Sequence, residues 1–217
     1  MKFVVTAGPT REPIDPIRFL SNRSSGKMGY AIAEAALEDG HEVTLISGPV
    51  NLSPPERARF ISVTTSEEMF ASVQLAVGNC DVLVMCAAVS DYKPAKFSPQ
   101  KLKKGITTRS LELVPTGDIL SVIAHEPRSF LAVGFAAETD DVEENAQKKL
   151  RAKNCDMIIA NDVSRAESGM ESDVNEVEIF FRNGERKKIR RAAKKIIARE
   201  LVKIISNTRE KRLTKKS

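Results

Sequence analysis

Short apolar runs alternate with amphipathic runs along most of this chain. The apolar runs have the length of buried strands, and the runs between them repeat their apolar positions at helical spacing. The predicted strands are residues 3–6, 42–46, 60–64, 81–88, 130–135 and 157–160. The predicted helices are residues 29–38 and 140–152, with a further helix that begins at Ser66 behind a capping box. This alternation is typical of a mostly parallel sheet covered by helices on both faces.

The pattern changes in the C-terminal part. Residues 175–181 and 186–189 flank Asn183-Gly184, a dipeptide typical of a tight hairpin turn. Residues 190–205 alternate basic and apolar positions at helical spacing, which predicts an amphipathic helix with a solvated basic face. The sequence therefore predicts a three-layer, Rossmann-like α/β fold with an antiparallel C-terminal hairpin. We expect one domain over residues 1–207 and a frayed basic tail over residues 208–217.

Polar segments follow several of these strands, at the edge where α/β sheets bind ligands. They are residues 8–27 (the opening loop), 90–93, 136–139 and 161–164. The opening loop is long for a strand-to-helix connection, which indicates a site. Backbone N–H groups at the helix start favour an anion there, and Gly26 and Gly29 would allow it to approach closely. The alternative is a structural loop in which Ser24 or Ser25 caps the helix.

Two common nucleotide-binding motifs do not fit the opening loop. A P-loop begins with glycine and ends in Gly-Lys-Ser/Thr, but Ser21 and Met28 occupy the first and last of those positions here. A dinucleotide fingerprint requires Gly-x-Gly-x-x-Gly, but Ser24 stands at its first glycine. A nucleotide bound here would be held in another way. An NAD(P)-dependent reductase with the same architecture stays the alternative enzyme class, although it would normally carry that fingerprint.

Composition narrows the class of protein. The chain is 41% hydrophobic and 29% charged, and no apolar run approaches the length of a membrane span. We expect no signal peptide ahead of the first strand. The odd set Cys80, Cys86 and Cys155 lies in or beside apolar runs, which predicts reduced core thiols in a cytoplasmic protein. The net charge of +5 suits anionic metabolites. Nucleic acid is a minor alternative because the basic helix lacks interleaved aromatic side chains.

Residues 94–118 form a long polar segment that is rich in lysine. A segment of this kind beside a site predicts a mobile flap that brings cationic groups over phosphates. The alternative is a solvated cluster of charges. We refer to residues 94–118 as the flap.

Six motifs, in order along the chain, carry a resemblance to one known family. They are residues 6–16, 18–29, 87–92, 101–104, 134–139 and 160–163. From Val4 to about Ile205, the chain resembles phosphopantothenoylcysteine synthetase, the ligase of coenzyme A biosynthesis. In bacteria this enzyme often forms the C-terminal half of a bifunctional flavoprotein. The resemblance therefore fits either a stand-alone enzyme or one domain of a fusion.

The resemblance implies a reaction that joins 4'-phosphopantothenate to cysteine with CTP and Mg²⁺. The pantothenate carboxylate attacks the α-phosphate and releases pyrophosphate, and the cysteine amine then opens the acyl-cytidylate, giving 4'-phosphopantothenoylcysteine and CMP. The residues alone leave CTP and ATP open, and metal ligands are not assigned. The resemblance also implies a homodimer, with a separate flavin-dependent decarboxylase as a candidate partner. From the composition we expect no membrane partner, and nucleic acid stays the minor alternative.

The resemblance places roles on particular residues. Asn22 is implied to contact the acyl group, Arg18 to contact a phosphate or carboxylate, and Lys101 to support formation of the acyl-nucleotide from the flap. The residues implied to surround the nucleotide and the cysteine-addition site are Ala88, Asp91, Gly117, Asp118, Ile119, Leu120, Phe135, Lys149 and Lys153, with Asn161 as a further positioning residue. Lys149 and Lys153 share a helix face, so both ammonium groups are expected to reach one triphosphate.

Overall fold

The computed structural model describes residues 1–138, 142–162 and 172–214. Within them, the strands are β1 (Lys2–Ala7), β2 (Arg11–Pro13), β3 (Phe19–Ser21), β4 (Glu42–Ser47), β5 (Arg59–Ser62), β6 (Val82–Met85), β7 (Tyr92–Pro94), β8 (Leu113–Pro115), β9 (Leu131–Glu138), β10 (Met157–Asp162), β11 (Val174–Phe181) and β12 (Arg186–Ala193). The helices are α1 (Lys27–Glu38), α2 (Ser66–Ala76), α3 (Ile119–His125), α4 (Val142–Ala152) and α5 (Lys194–Thr214), with a 3₁₀ turn at Val77–Asn79.

The described residues form an eight-stranded sheet in the order β12-β11-β10-β9-β6-β1-β4-β5. From β10 to β5 the neighbouring strands are parallel, whereas β11 is antiparallel to both β10 and β12. The predicted α/β class, mostly parallel sheet and C-terminal hairpin are confirmed. Because the chain reverses at β11 and again at β12, the beginning of β11 and the end of β12 lie at the same edge as the carboxyl ends of the parallel strands.

Helices cover both faces of the sheet, as alternation along the strands requires. α1 and α5 pack together on one face, where Val5 and Val84 belong to the core. α2, α3 and α4 cover the other face, where Val4 and Leu83 belong to a second core layer. The capping box predicted before α2 is present, with Thr65 as the N-cap. None of the described helices has the length and apolar character needed to cross a membrane.

The C-terminal elements differ from the prediction in two ways. The second hairpin strand continues to Ala193, so the basic helix begins later than expected, at Lys194. It then continues to Thr214 through residues that we expected to fray. The cause is burial of Arg209, whose guanidinium donates to the Ser129 carbonyl at 2.8 Å and pairs with Asp81 at 3.3 Å. Residues 215–217 of the expected tail lie outside the described residues.

The opening loop and the flap contain short strands that the sequence analysis did not predict. β2 and β3 form a small antiparallel ribbon inside the opening loop, and β7 and β8 form another that brackets the flap. The apolar run expected as one strand over residues 81–88 leaves the sheet after Met85. Its end turns to the opening loop, where the Ala88 N–H donates to the Gly8 carbonyl at 2.9 Å and the Thr10 N–H donates to the Ala88 carbonyl at 3.2 Å.

Candidate functional site

A cleft of about 420 Å³ lies at the carboxyl ends of the parallel strands, the position where α/β sheets bind ligands. Its walls come from the opening loop, the turn after β6, the segment before α3 and the ends of β9 and β10. The expected site residues that line it are Asn22, Ala88, Asp91, Gly117, Asp118, Ile119, Leu120, Phe135, Lys153 and Asn161. Arg18, Lys101 and Lys149 are not among the lining residues. Thr139 and residues 163–164, from two of the polar segments expected at this edge, lie outside the described residues.

The two glycines that we expected to make room for a ligand have structural reasons of their own. Gly26 is the N-cap of α1 and has φ of +75°, a conformation that other residues adopt at a cost. A Cβ on Gly29 would lie 2.6 Å from the Cβ of Ala7, so this glycine allows α1 to pack closely on β1. Gly26 itself, and not Ser24 or Ser25, is the N-cap residue of α1, while the Ser24 Oγ accepts from the Gly26 N–H at 3.3 Å. The start of α1 lines the cleft.

Asn22 connects two walls of the cleft. Its Nδ2 donates to the carbonyls of Ala88 and Val89, at 3.2 Å and 3.1 Å. The side chain is exposed, so it lies at the surface of the cleft rather than in the core. In this arrangement the amide nitrogen fixes the opening loop to the turn after β6, at the point where the resemblance implies that the acyl group is attacked.

Arg18 and Lys101 belong to a junction between the opening loop and the flap. The buried carboxylate of Asp15 accepts from the Arg18 Nε at 3.0 Å and from the Leu102 N–H at 3.1 Å, and Arg18 donates to the Leu102 carbonyl at 2.7 Å. The hydrogen bond from Arg18 is the largest cause that holds the pKa of Asp15 well below its usual range. Arg18 thus contacts protein groups of the opening loop and the flap, and it fixes the residue next to Lys101. Lys101 itself is exposed.

The two lysines of α4 are placed differently from the prediction. Lys153 follows the last residue of the helix, and its ammonium lies 3.2 Å from the carboxylate of Asp118 on the cleft wall. Asp118 also caps α3 by accepting from the Ser121 N–H at 3.0 Å. Lys149 shares the helix face but does not line the cleft. Of the two lysines that the four-residue spacing placed on one helix face, Lys153 therefore lines the cleft and Lys149 does not.

Two polar residues of the cleft lie outside the segments that the sequence predicted for it: Asn175 and Lys194. Lys194 was counted among the solvated lysines of the basic helix, but only 6% of it is exposed. Burial, and then the charge of Lys27, lower the pKa of its ammonium. The signal that could have found Lys194 and Asn175 is the topology of the hairpin. Reversal at β11 and again at β12 returns both residues to the ligand-binding edge.

The described thiols agree in part with the prediction of core cysteines. Cys80 and Cys155 are buried, while Cys86 is half-buried and lines the cleft. Burial raises the pKa of all three thiols to about 12, so none is poised as a thiolate nucleophile.

The cleft also offers polar groups that suit a nucleotide and its metal. The Oδ1 of Asn161 is buried and has no hydrogen-bond partner among the described residues, so a ligand hydroxyl or ammonium group would satisfy it. The described residues contain no cluster of three or more metal-ligating side chains. Mg²⁺ in nucleotide sites is typically bound by one or two carboxylates together with substrate phosphates. Asp91 and Asp118, which both line the cleft, fit that requirement.

The family model and the most similar curated proteins point to the same family. Residues 1–208 match the family described as the DNA/pantothenate metabolism flavoprotein C-terminal domain. The chain is 44% identical to the coenzyme A biosynthesis bifunctional protein CoaBC of Bacillus subtilis (strain 168), over 94% of the chain and 50% of that protein. It is 45% identical to CoaBC of Escherichia coli (strain K12), over 86% of the chain and 47% of that protein. The chain thus spans about half the length of these relatives.

The fold has a close counterpart among solved structures. The crystal structure of the C-terminal domain of a CoaBC protein superposes with a TM-score of 0.83 at 41% sequence identity. The superposition covers 97% of this chain and 96% of that domain. The similarity therefore extends over nearly the whole chain.

Proposed function

This chain belongs to the DNA/pantothenate metabolism flavoprotein C-terminal domain family, and we propose that it joins 4'-phosphopantothenate to cysteine with a nucleoside triphosphate. The observation that carries this proposal is the cleft itself, which gathers residues from motifs spread between the opening loop and β10. The cleft is lined by amide side chains, among them Asn22 and Asn161, and by the ammonium group of Lys153. Such groups suit a substrate that carries a phosphate at one end and a carboxylate at the other.

We propose CTP as the nucleotide and an acyl-cytidylate as the intermediate. A carboxylate oxygen of 4'-phosphopantothenate attacks the α-phosphorus, and the bond to pyrophosphate breaks. The cysteine amine then attacks the acyl carbon, CMP leaves with the bonding electron pair, and the amine proton passes to solvent. Lys153 neutralises phosphate charge, and Phe135 packs beside the base. Bound Mg²⁺ would supply further charge neutralisation at the phosphates, with Asp91 and Asp118 as its protein ligands.

Asn22 and the flap supply positioning in this scheme. Asn22 holds the opening loop against the turn after β6 and thereby keeps the acyl carbon in place for the amine. The Asp15–Arg18 pair orients the start of the Lys101 region through Leu102. For Lys101 to stabilise the departing pyrophosphate, the flap must close over the cleft, which would also exclude water from the acyl-cytidylate.

We propose that the protein is a homodimer and that the two small ribbons contribute to its interface. Large apolar side chains are exposed there and in the flap: Ile17, Phe19, Tyr92, Phe97 and Leu113. A patch of this kind beside a site is typical of a subunit interface. Light scattering should give twice the mass of the chain, and Phe19→Ser should lower it toward the monomer. A monomeric wild-type protein at micromolar concentration would contradict the proposal.

The relatives are named as bifunctional proteins, and this chain corresponds to about half of each. We propose that a flavin-dependent decarboxylase consumes the product. The ligase proposal is tested by mixing the purified protein with 4'-phosphopantothenate, cysteine, Mg²⁺ and either CTP or ATP, followed by mass spectrometry of the product. Product with CTP at a higher initial rate than with ATP is expected. No product with either nucleotide, together with tight NADPH binding, would favour the reductase instead.

A further inference from the structure

Two fully buried threonines lie directly behind the turn after β6 (residues 86–90). Thr6 is the next-to-last residue of β1, Thr10 follows in the opening loop, and both are 0% exposed. Neither threonine lines the cleft, although residues 86–89 of the turn do. A polar side chain that is shut off from solvent and from the cleft needs hydrogen-bond partners within the protein. Both threonines find these partners in the backbone of the turn.

Thr6 binds the turn where the chain leaves the sheet. β6 ends at Met85, and the Thr6 Oγ1 then accepts from the N–H groups of Cys86 and Ala87, both at 3.1 Å. The hydroxyl of Thr6 donates to the Sδ of Met85 at 3.7 Å. Because a hydroxyl offers one donor and two acceptor positions, the hydrogen-bonding capacity of Thr6 is complete. Thr6 therefore sets the direction of the chain after β6 and has no capacity left for a ligand.

Thr10 binds the other end of the turn. Its Oγ1 accepts from the Ser90 N–H at 3.0 Å, and its own N–H donates to the Ala88 carbonyl at 3.2 Å. Asn22 donates to the carbonyls of Ala88 and Val89 in the same turn. The threonine hydroxyls thus bind N–H groups of the turn, whereas the Asn22 amide binds its carbonyls. The backbone of the turn is fixed through both kinds of group.

We propose that Thr6 and Thr10 are positioning residues, which act on the reaction through the turn after β6. This turn brings Ala88 to the cleft and is followed directly by Asp91, so its backbone decides where both residues lie. Without a threonine hydroxyl, a buried N–H loses its acceptor, a cost that the chain relieves by moving the turn. A misplacement of about 1 Å can slow a reaction about 100-fold. The role in ligation rests on the proposed function, but the hold on the turn does not.

The test compares Thr6→Val, which keeps the shape but removes the acceptor, with Thr6→Ser, which keeps the hydroxyl. Thr44→Val is the matched control, since Thr44 is a half-buried threonine of β4 that does not line the cleft. Product formation is measured at saturating CTP, 4'-phosphopantothenate and cysteine, and circular dichroism gives the folded fraction. Thr6→Val should lower kcat per folded molecule about 10-fold or more and change the KM for CTP much less, while Thr6→Ser and Thr44→Val should stay within about 3-fold of wild type. Thr10→Val, which removes one acceptor instead of two, should show the same pattern with a smaller loss and keeps the test valid if Thr6→Val folds poorly.

Amide hydrogen exchange follows the turn itself, without any substrate. The peptide over residues 82–91 should exchange about 10-fold faster in Thr6→Val than in wild type, and at the wild-type rate in Thr44→Val. A wild-type kcat per folded molecule in both Thr6→Val and Thr10→Val would overturn the positioning role, even if less of each variant folds. A wild-type protein that makes no product removes the ligase function. Faster exchange in Thr6→Val then still supports the hold on the turn, and unchanged exchange overturns it.

Discussion

Replacing Asn22 with aspartate tests how the opening loop serves the second half of the reaction. The Nδ2 of Asn22 donates to two carbonyls, and a carboxylate at this position would repel both oxygens. Two hydrogen bonds at a net value of about 0.5–1.5 kcal/mol each amount to about 1–3 kcal/mol. At about 1.4 kcal/mol for each factor of ten, we expect product formation to slow roughly 10- to 100-fold. Because Asn22 is exposed, the melting temperature should fall by only a few degrees.

The assay for Asn22→Asp is a single turnover with CTP, quenched and analysed by mass spectrometry. Pyrophosphate release should continue in part while acyl-cytidylate accumulates, since attack by the amine depends on the position of the acyl carbon. Asn207→Asp, an exposed asparagine on α5, provides the matched control and should behave as wild type. A normal product yield from Asn22→Asp, without any accumulated intermediate, would refute the reasoning.

The remaining predictions concern the charge of Lys153, the ionised carboxylate of Asp15 and the packing of Gly29 against β1. Lys153→Ala should raise the KM for CTP about 10-fold and Lys149→Ala much less, and equal effects would contradict the placement of one lysine in the cleft. The lowered pKa of Asp15 means that its ionised form stabilises the protein above about pH 4 and that this contribution is lost as the pH falls further. Asp15→Asn should therefore have a lower free energy of unfolding than wild type at pH 7, and denaturant titrations should show this difference narrowing toward pH 2. A difference that stays constant with pH would contradict the stabilising role of the ionised Asp15 carboxylate. Gly29→Ala should cost about 1–3 kcal/mol through the contact with β1, while Gly78→Ala, which meets no atom within 4 Å, should be nearly neutral in thermal denaturation.

The order of strands and helices was predictable because buried parallel strands and amphipathic helices have distinct apolar periods. The hairpin followed from Asn183-Gly184, and the cleft from the rule that ligands bind at the carboxyl ends of parallel strands. The limits of α5 were not predictable from periodicity. Residues 190–193 carry the same basic and apolar pattern as the helix, and only pairing with β11 makes them a strand.

The site residues divide in the same way. Asp91 and Asn161, which the sequence placed after predicted strands, line the cleft because the carboxyl ends of the parallel strands meet at that edge. Lys194 was missed because a buried lysine and a solvated lysine look alike in a basic stretch. The contact of Arg18 with a phosphate or carboxylate stays a prediction, while its hydrogen bonds to Asp15 were not expected because nothing in the sequence pattern pairs these two residues. Tertiary contacts decide such cases, and the sequence pattern does not contain them.

The most direct test of the proposed chemistry follows an oxygen atom. When 4'-phosphopantothenate labelled with ¹⁸O in its carboxylate is turned over with cysteine and CTP, attack on the α-phosphorus must transfer one labelled oxygen to CMP. Mass spectrometry of the nucleotide product should therefore show CMP heavier by one ¹⁸O, with unlabelled pyrophosphate. Labelled inorganic phosphate together with CDP, or unlabelled CMP in a reaction that forms product, would contradict the acyl-cytidylate and with it the roles derived for the cleft.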